Sequence, residues 1–477
     1  MRVVEPEHDP LDGRPWRIPL WARLTPLVLV VLVVATQTVH AVNDPDTWWH
    51  LRTGDELRGH LDLVGPDPWS PFTTREWIRH QWLGDLLLSW LHGLGGLPAV
   101  AWYVALLGTT TLVVAYLVAR RDAAVLPAAA LALAAAVGTS MTLSARPQSF
   151  SLPFTLVAGG AWLATARDHR SRWWLVPFTW VWACLHGFWF VAPLLGLVVA
   201  VGLRLERAPG RVVARATAVA LTSLVAAALT PVGPRLLTAP FQVGTITALI
   251  DEWRPPTVGM PAFLVTWAMA MLLVLVWNVG RAPTWPEIGV LVLAGYLLVT
   301  HGRTVALAAA LLVPLLARAV QERTPLGREG LGRAEVLALL VAAAVGLGGA
   351  WTLAGTRAAA PQGFPTALAD RLDALPDGTV VCNDYGVGGW LWWAHPRLVP
   401  VIDGRTELYA PADVEAYARF AAGGDGTTAL VSHRGCSAAL VRAGSPPAAT
   451  LTRGGWSVAG TAEGWTLLGR PQPPEDS

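Results

Sequence analysis

The chain has 477 residues, a mean hydropathy of +0.45 and only 14% charged residues, where a soluble domain carries roughly 25%. Apolar runs of about 20 residues recur from Leu24 to Trp351, the length that crosses a bilayer. Composition excludes a soluble enzyme and a disordered chain, and a net charge of +2 gives no global attraction to nucleic acid.

All 35 basic residues are Arg. With no Lys, Schiff-base and P-loop lysine chemistries are excluded. Of the three Cys, Cys184 lies in an apolar run, while Cys382 and Cys436 lie in a polar C-terminal region. Those two can form one disulfide if that region is outside the cytoplasm, or remain thiols. No metal-type Cys/His spacing occurs.

In chain order, residues 1–23 read as a cytoplasmic segment without a cleavable signal, so the first span is a retained anchor. Eleven apolar segments follow, at 24–42, 97–119, 123–143, 149–166, 173–186, 188–203, 213–230, 261–280, 284–300, 304–320 and 334–356. They predict an all-α membrane domain over 24–356. Two of them are shorter than the roughly 17 residues a straight span needs. The segments flanking His186 are therefore either two spans or one broken helix. With the N-terminus inside, 18 Arg fall in inner segments and 9 in outer loops, four of those nine in the long loop 43–96. This positive-inside bias favours two spans and places that loop outside the cytoplasmic membrane. Leu83, Leu86, Leu87 and Trp90 share a face, so 82–94 reads as an amphipathic helix.

Beyond 357 the composition becomes mixed, and 357–470 reads as a small extracytoplasmic α/β domain. Strands are expected at 379–382, 398–402, 427–431 and 465–468, and helices at 388–394 and 413–422. Residues 358–365 read as a linker and 471–477 as a disordered tail.

Polar residues interrupt the apolar runs almost entirely at their outer ends. Ionisable groups at membrane level are costly and mark functional sites. Asp44-Pro45-Asp46 directly follows the first span, and His50 and Arg52 follow closely. Two carboxylates so spaced can hold a divalent cation such as Mg²⁺ or Mn²⁺, or one can act as a general base; they can also simply be solvated. Asp67, His80 and Trp82 lie later in the same loop, where Trp serves either as a membrane anchor or as a stacking platform for sugars. Arg146 and Arg303 are candidate phosphate ligands, with snorkelling as the alternative for Arg146. His186 and His301 sit at similar span ends. Asp251 and Glu252 form an acidic pair that either serves the site or caps a helix start. In the C-terminal region, Asp384, Tyr385, Asp403 and Arg405 stand out. The last two are either a buried structural pair or part of an acceptor groove.

Together these residues resemble the GT-C superfamily of integral-membrane glycosyltransferases, which use polyprenyl-phosphate-linked sugars. The resemblance is carried by the order of Asp44-Pro45-Asp46-x-Trp48-Trp49-His50, Asp67-Pro68-Trp69-Ser70, His80-Gln81-Trp82, Arg146-Pro147-Gln148, His186-Gly187 and Glu252-Trp253. Glu252 is similar to the late-loop glutamate of the oligosaccharyltransferase catalytic subunit. Asp384-Tyr385-Gly386 is similar to the end of its WWDYG motif. Val381-Cys382-Asn383 departs from that motif by lacking its tryptophan pair, so recognition of an acceptor sequon is not carried over.

The resemblance implies inverting transfer of a sugar from a polyprenyl-phosphate donor in the membrane to an acceptor outside it. Asp44, Asp46 and Glu252 would be the catalytic carboxylates, with a divalent cation on Asp44 and Asp46 as an option. Arg146 and Arg303 would stabilise the departing lipid phosphate. His50, Arg52, Asp67, His80, Trp82, His186, Asp251, His301, Asp384, Tyr385, Asp403 and Arg405 would bind substrate. The alternative reading is a non-catalytic transporter, flippase or assembly protein for lipid-linked envelope glycans.

Overall fold

The computed structural model describes residues 19–239, 251–324 and 330–470; the expected tail at 471–477 and most of the segment 1–23 lie outside them. The first apolar segment is α1 (Leu20–Gln37). The loop after it holds a short helix, α2 (Thr47–Leu57), and a hairpin of β1 (Val64–Gly65) and β2 (Trp77–Ile78). Then follow α3 (Trp82–Arg120), α4 (Val125–Thr139), α5 (Ser151–Asp168), α6 (Leu175–Leu185), α7 (Val191–Leu205), α8 (Gly210–Ala228), α9 (Pro261–Asn278), α10 (Trp285–Thr300), α11 (Val305–Gln321) and α12 (Arg333–Arg357). Every predicted apolar segment thus contains a helix. Among the described residues, nine helical segments are long and apolar enough to cross a membrane, and α6 and α10 are shorter apolar helices. The chain is a multi-pass membrane protein.

Two local breaks shape the bundle. Gly95 and Gly96 leave helical geometry inside α3, Gly96 at φ 63°, a conformation glycine adopts without strain. The amphipathic stretch is thereby set at an angle to the span that follows. At His186 the backbone is extended (φ −162°, ψ 150°). There the chain turns back. The end of α6 meets the start of α5, where Trp182 Nε1 donates to Ser151 Oγ at 2.8 Å. Then α7 runs beside α10 until Gly202 packs on Pro286. The segments around His186 are therefore two helices.

The most enclosed helix is α11, with Leu307, Leu311 and Leu316 at 0% exposure. Small residues allow its neighbours to approach: a Cβ at Gly138 would lie 2.6 Å from that of Ala309. Peripheral helices instead expose Leu and Val, as at Leu275 and Val345, as expected of a surface solvated by lipid.

After α12, the stretch read as a linker is packed. Gln362 N–H donates to Val42 O at 3.0 Å, and Phe364 meets the Trp48 ring at 5.0 Å. A five-stranded sheet follows, ordered β4-β3-β5-β7-β6. Its strands are β3 (Val380–Asn383), β4 (Val399–Pro400), β5 (Ala438–Arg442), β6 (Ser457–Ala462) and β7 (Trp465–Gly469). β3 pairs in parallel with β4 and β5, and β7 pairs antiparallel with β5 and β6. Helices α13 (Ala369–Asp373), α14 (Tyr385–Ala394), α15 (Pro411–Ala422), α16 (Asp425–Arg434) and α17 (Pro446–Arg453) surround it.

The strand expected at 427–431 is instead part of α16. Its β-branched run is overridden by its ends: Asp425 stands in the first turn and Gly435 takes the left-handed position after the last. Strands β5 and β6 were not anticipated.

Cys382 and Cys436 are joined as a disulfide. Replacing both by Ser is expected to cost the domain about 2–4 kcal/mol, measured as a lower denaturation midpoint; an unchanged midpoint would show that the bond contributes nothing.

Candidate active site

The sequence Asp44-Pro45-Asp46 turns the chain from α1 into α2. Asp44 Oδ1 accepts from Asp46 N–H at 3.0 Å, closing a turn typical of Asp. Asp46 then stands directly before α2, where the helix dipole favours negative charge. Its Oδ1 accepts from Trp49 Nε1 at 3.1 Å.

Arg146 precedes Pro147, which holds Arg146 extended (φ −130°, ψ 157°) ahead of the turn leading into α5. Its guanidinium is shared by three carboxylates. Nε pairs with Asp44 Oδ2 at 3.0 Å. Nη1 pairs with Asp46 Oδ2 and with Glu252 Oε1, the latter at 3.0 Å. Nη2 reaches Glu252 Oε2 at 3.1 Å, so the Glu252 contact is bidentate. Burial opposes the charge on Arg146, but Asp44, Glu252 and Asp46 more than offset it and its pKa lies above the ordinary range. Burial raises the Asp46 carboxyl against the opposing pull of Arg146. Burial also opposes ionisation of Glu252, yet Arg146 and Arg303 bring it below its usual value.

Glu252 reaches this cluster because the turn Asp251–Trp253 is tied to the α10–α11 reversal. Gly302 N–H donates to Arg254 O at 2.9 Å, and the Trp253 ring meets His301 edge-on at 5.3 Å. The Arg303 guanidinium lies 4.7 Å over Trp253 and 5.2 Å over Phe188. Its Nη2 donates to Gln148 Oε1 at 3.3 Å, while its buried Nε finds no hydrogen-bond partner among the described residues.

A cavity of about 340 Å³ joins these groups. Asp46, His50, His80, Arg146, His186, Glu252, His301, Arg303 and Tyr385 all line it. Asp44 is held behind Arg146. Burial pushes His50 down to about 3 and so keeps it neutral, with Nδ1 at 2.6 Å from Asp85 Oδ1. His186 Nδ1 meets Ser151 Oγ at 2.9 Å. The cavity continues between α7 and α10 along Phe190, Leu194, Leu293 and Tyr296. Tyr296 is 61% exposed and Leu194 37%, so this apolar wall reaches the lipid-facing surface.

Other candidates lie elsewhere. Arg405 is fully buried between Asp403 and Asp67, at 2.7 and 3.0 Å, and beneath the Trp69 and Trp77 rings. Arg52 donates to Trp392 O at 2.6 Å and also covers Trp69. These four charged residues hold the first loop onto the C-terminal domain, outside the cavity lining, and Trp69 serves them as a platform. Asp384 caps α14 by accepting from Gly386 N–H at 2.9 Å. Trp82 opens α3 and packs against the hydrophobic core. The side chain of Asp251 lies outside the described residues.

Tyr296 and Glu407 line the cavity without a role in the sequence reading, and Gln148 entered it only within Arg146-Pro147-Gln148. Glu407 comes from the C-terminal domain, and only its place next to Arg405-Thr406 could have drawn attention to it. Gly404 brings that loop in: a Cβ there would lie 2.0 Å from Asp46 Oδ1.

The option of a divalent cation on Asp44 and Asp46 does not fit this arrangement. Among the described residues, no three His, Cys, Asp or Glu side chains are placed to hold a metal. The position where the carboxylates converge is filled by the Arg146 guanidinium, so no step is assigned to a cation.

No protein-family model and no curated protein matches the chain. Solved structures do. The Archaeoglobus fulgidus oligosaccharyltransferase AglB, in complex with an inhibitory peptide and a dolichol-phosphate, aligns over 87% of this chain and 69% of its own, at TM-score 0.54 and 11% identity. ArnT from Cupriavidus metallidurans, bound to undecaprenyl phosphate, aligns over 95% and 100%, at TM-score 0.51 and 16% identity. The mycobacterial arabinofuranosyltransferase AftD aligns over 96% and 40%, at 0.52 and 17%. This chain shares its fold with these three solved structures.

Proposed function

We propose that this protein is a membrane glycosyltransferase that moves a sugar from a polyprenyl-phosphate donor to an acceptor outside the cytoplasmic membrane. One observation carries the reading: a single cavity joins a carboxylate–arginine cluster to an apolar wall open to lipid. That shape suits a molecule with an ionic head and a long hydrocarbon tail. The structural neighbours solved with dolichol-phosphate and undecaprenyl phosphate support the same substrate class. The excess of Arg at the opposite ends of the helices supports an extracytoplasmic site, with the N-terminus inside and the C-terminal domain outside.

In this reading the donor phosphate lies against Arg303, whose unpartnered Nε provides a donor in a partly dehydrated setting. Asp46 faces the acceptor. Its two oxygens accept from Trp49 and Arg146, and a carboxylate oxygen has two lone pairs, so each oxygen can take a further hydrogen bond. Attack on the anomeric carbon opposite the phosphate inverts its configuration. Polyprenyl phosphate leaves as a stable anion, so no covalent protein nucleophile is required.

Binding of undecaprenyl phosphate to the purified full-length protein tests the site. Arg303→Gln is expected to raise its Kd about ten- to a hundred-fold, the effect of losing one charged hydrogen-bonding partner. Unchanged affinity would remove Arg303 from the phosphate site.

A further inference from the structure

Asp44, Asp46 and Glu252 all share Arg146. One carboxylate on the same cavity has no such partner. Glu407 stands in the turn Thr406–Leu408, and no cationic side chain pairs with it among the described residues. The turn around it is rigid: Thr406 and Leu408 are buried, and Leu408 O accepts from Thr74 and Arg75 N–H at 3.0 and 3.1 Å. The Asp403–Arg405–Asp67 network fixes the preceding residues. A long carboxylate side chain is thus held by a fixed backbone at the wall of the cavity that Asp46 and Arg303 also line.

Resting on the glycosyltransferase reading, we infer that Glu407 is the proton acceptor for the attacking acceptor hydroxyl, so that the C-terminal domain supplies a catalytic group. The acceptor oxygen bonds to the anomeric carbon as the bond from that carbon to the phosphate oxygen breaks. The hydroxyl proton passes to the Glu407 carboxylate. The electron pair of the broken bond leaves on polyprenyl phosphate, against Arg303. Asp46, with Arg146 and Trp49 on its oxygens, orients the hydroxyl.

The surroundings suit the task. Burial pushes Glu407 up to about 7, with Arg405 opposing and Asp403 and Asp46 adding to the rise. Arg303 and Tyr385 line the same cavity. A base with that midpoint is half ionised near neutral pH and takes up a proton readily. Its active form is the carboxylate, so turnover should rise with pH through about 7.

The test uses full-length protein in lipid vesicles. The probes are undecaprenyl-phosphate mannose, galactose, arabinose and N-acetylglucosamine, with an envelope fraction from a strain lacking the gene as acceptor. Release of undecaprenyl phosphate is followed against pH. Glu407→Gln is expected to lower kcat about 100-fold, to abolish the rise near neutral pH, and to leave the Kd for undecaprenyl phosphate unchanged. Glu407→Asp should restore part of the rate. Full activity of Glu407→Gln, or an unaltered pH profile, overturns the assignment while leaving the glycosyltransferase reading intact. Loss of undecaprenyl-phosphate binding in Glu407→Gln also overturns it, by making the residue a binding or structural group. A wild-type protein that releases nothing from any of the donors overturns the glycosyltransferase reading and this assignment together.

Discussion

Arg146→Gln is expected to lower sugar transfer about 100- to 1,000-fold and to destabilise the protein by about 3–5 kcal/mol. The reason is the company Arg146 keeps. Asp44, Asp46 and Glu252 all depend on one guanidinium, and its loss leaves them facing one another in a partly dehydrated cavity. Arg146→Lys would keep the charge but not the bidentate grip on Glu252, and should recover stability more than rate. Adding Glu252→Gln to Arg146→Gln removes one of the stranded charges. The double variant should therefore be more stable than Arg146→Gln alone, a coupling that a double-mutant cycle reads directly. Thermal unfolding in detergent and donor turnover in vesicles are the measurements. An Arg146→Gln protein with wild-type turnover would remove the cluster from the chemistry.

Arg405→Met should cost a similar amount, about 3–5 kcal/mol, by a different route. Asp67 and Asp403 are fully enclosed with Arg405, and two carboxylates would remain buried without their cation. Burial opposes the charge on Asp403, and Arg405 is what lowers its pKa below the usual carboxylate range. The replacement should loosen the C-terminal domain from the first loop, seen as faster proteolysis between residues 357 and 470. Transfer should fall too, because the loop carrying Gly404 and Glu407 would no longer be fixed. Affinity for undecaprenyl phosphate should change little, since Arg303 lies on the membrane side. Wild-type protease resistance in Arg405→Met would show that the network does not hold the domain.

The site was legible in unequal measure. Asp46, Arg146, Glu252 and Arg303 were readable because each is an ionisable residue at the end of an apolar run, where charge is too costly to be incidental. Asp403 and Arg405 also stood out in the sequence, as either a buried pair or part of an acceptor groove, and they sit outside the cavity lining. Sequence cannot separate an ion pair that binds substrate from one that joins two parts of a fold, because both need opposite charges brought together by tertiary packing. Glu407 shows the reverse. It lies in a polar domain where acids are ordinary, and only the fold shows that the turn bearing it meets the first loop. The misread strand at 427–431 has a local cause: a β-branched run promotes extended structure until capping residues and burial of Leu430 and Val431 outweigh it.

What the sequence alone determined was the solvent and the helices that meet it. Hydropathy demands a bilayer, and the polar residues that interrupt the apolar runs are the ones from which the candidate cavity is largely built. These follow from transfer free energies that act residue by residue along the chain. Which charges neutralise one another was decided only in the tertiary structure. Arg146 joins residues about 100 positions apart on either side, and Arg405 reaches back to Asp67. Such pairings depend on distances between helix ends and loops far apart in sequence, and Coulomb energy and desolvation act on those distances rather than on residue order.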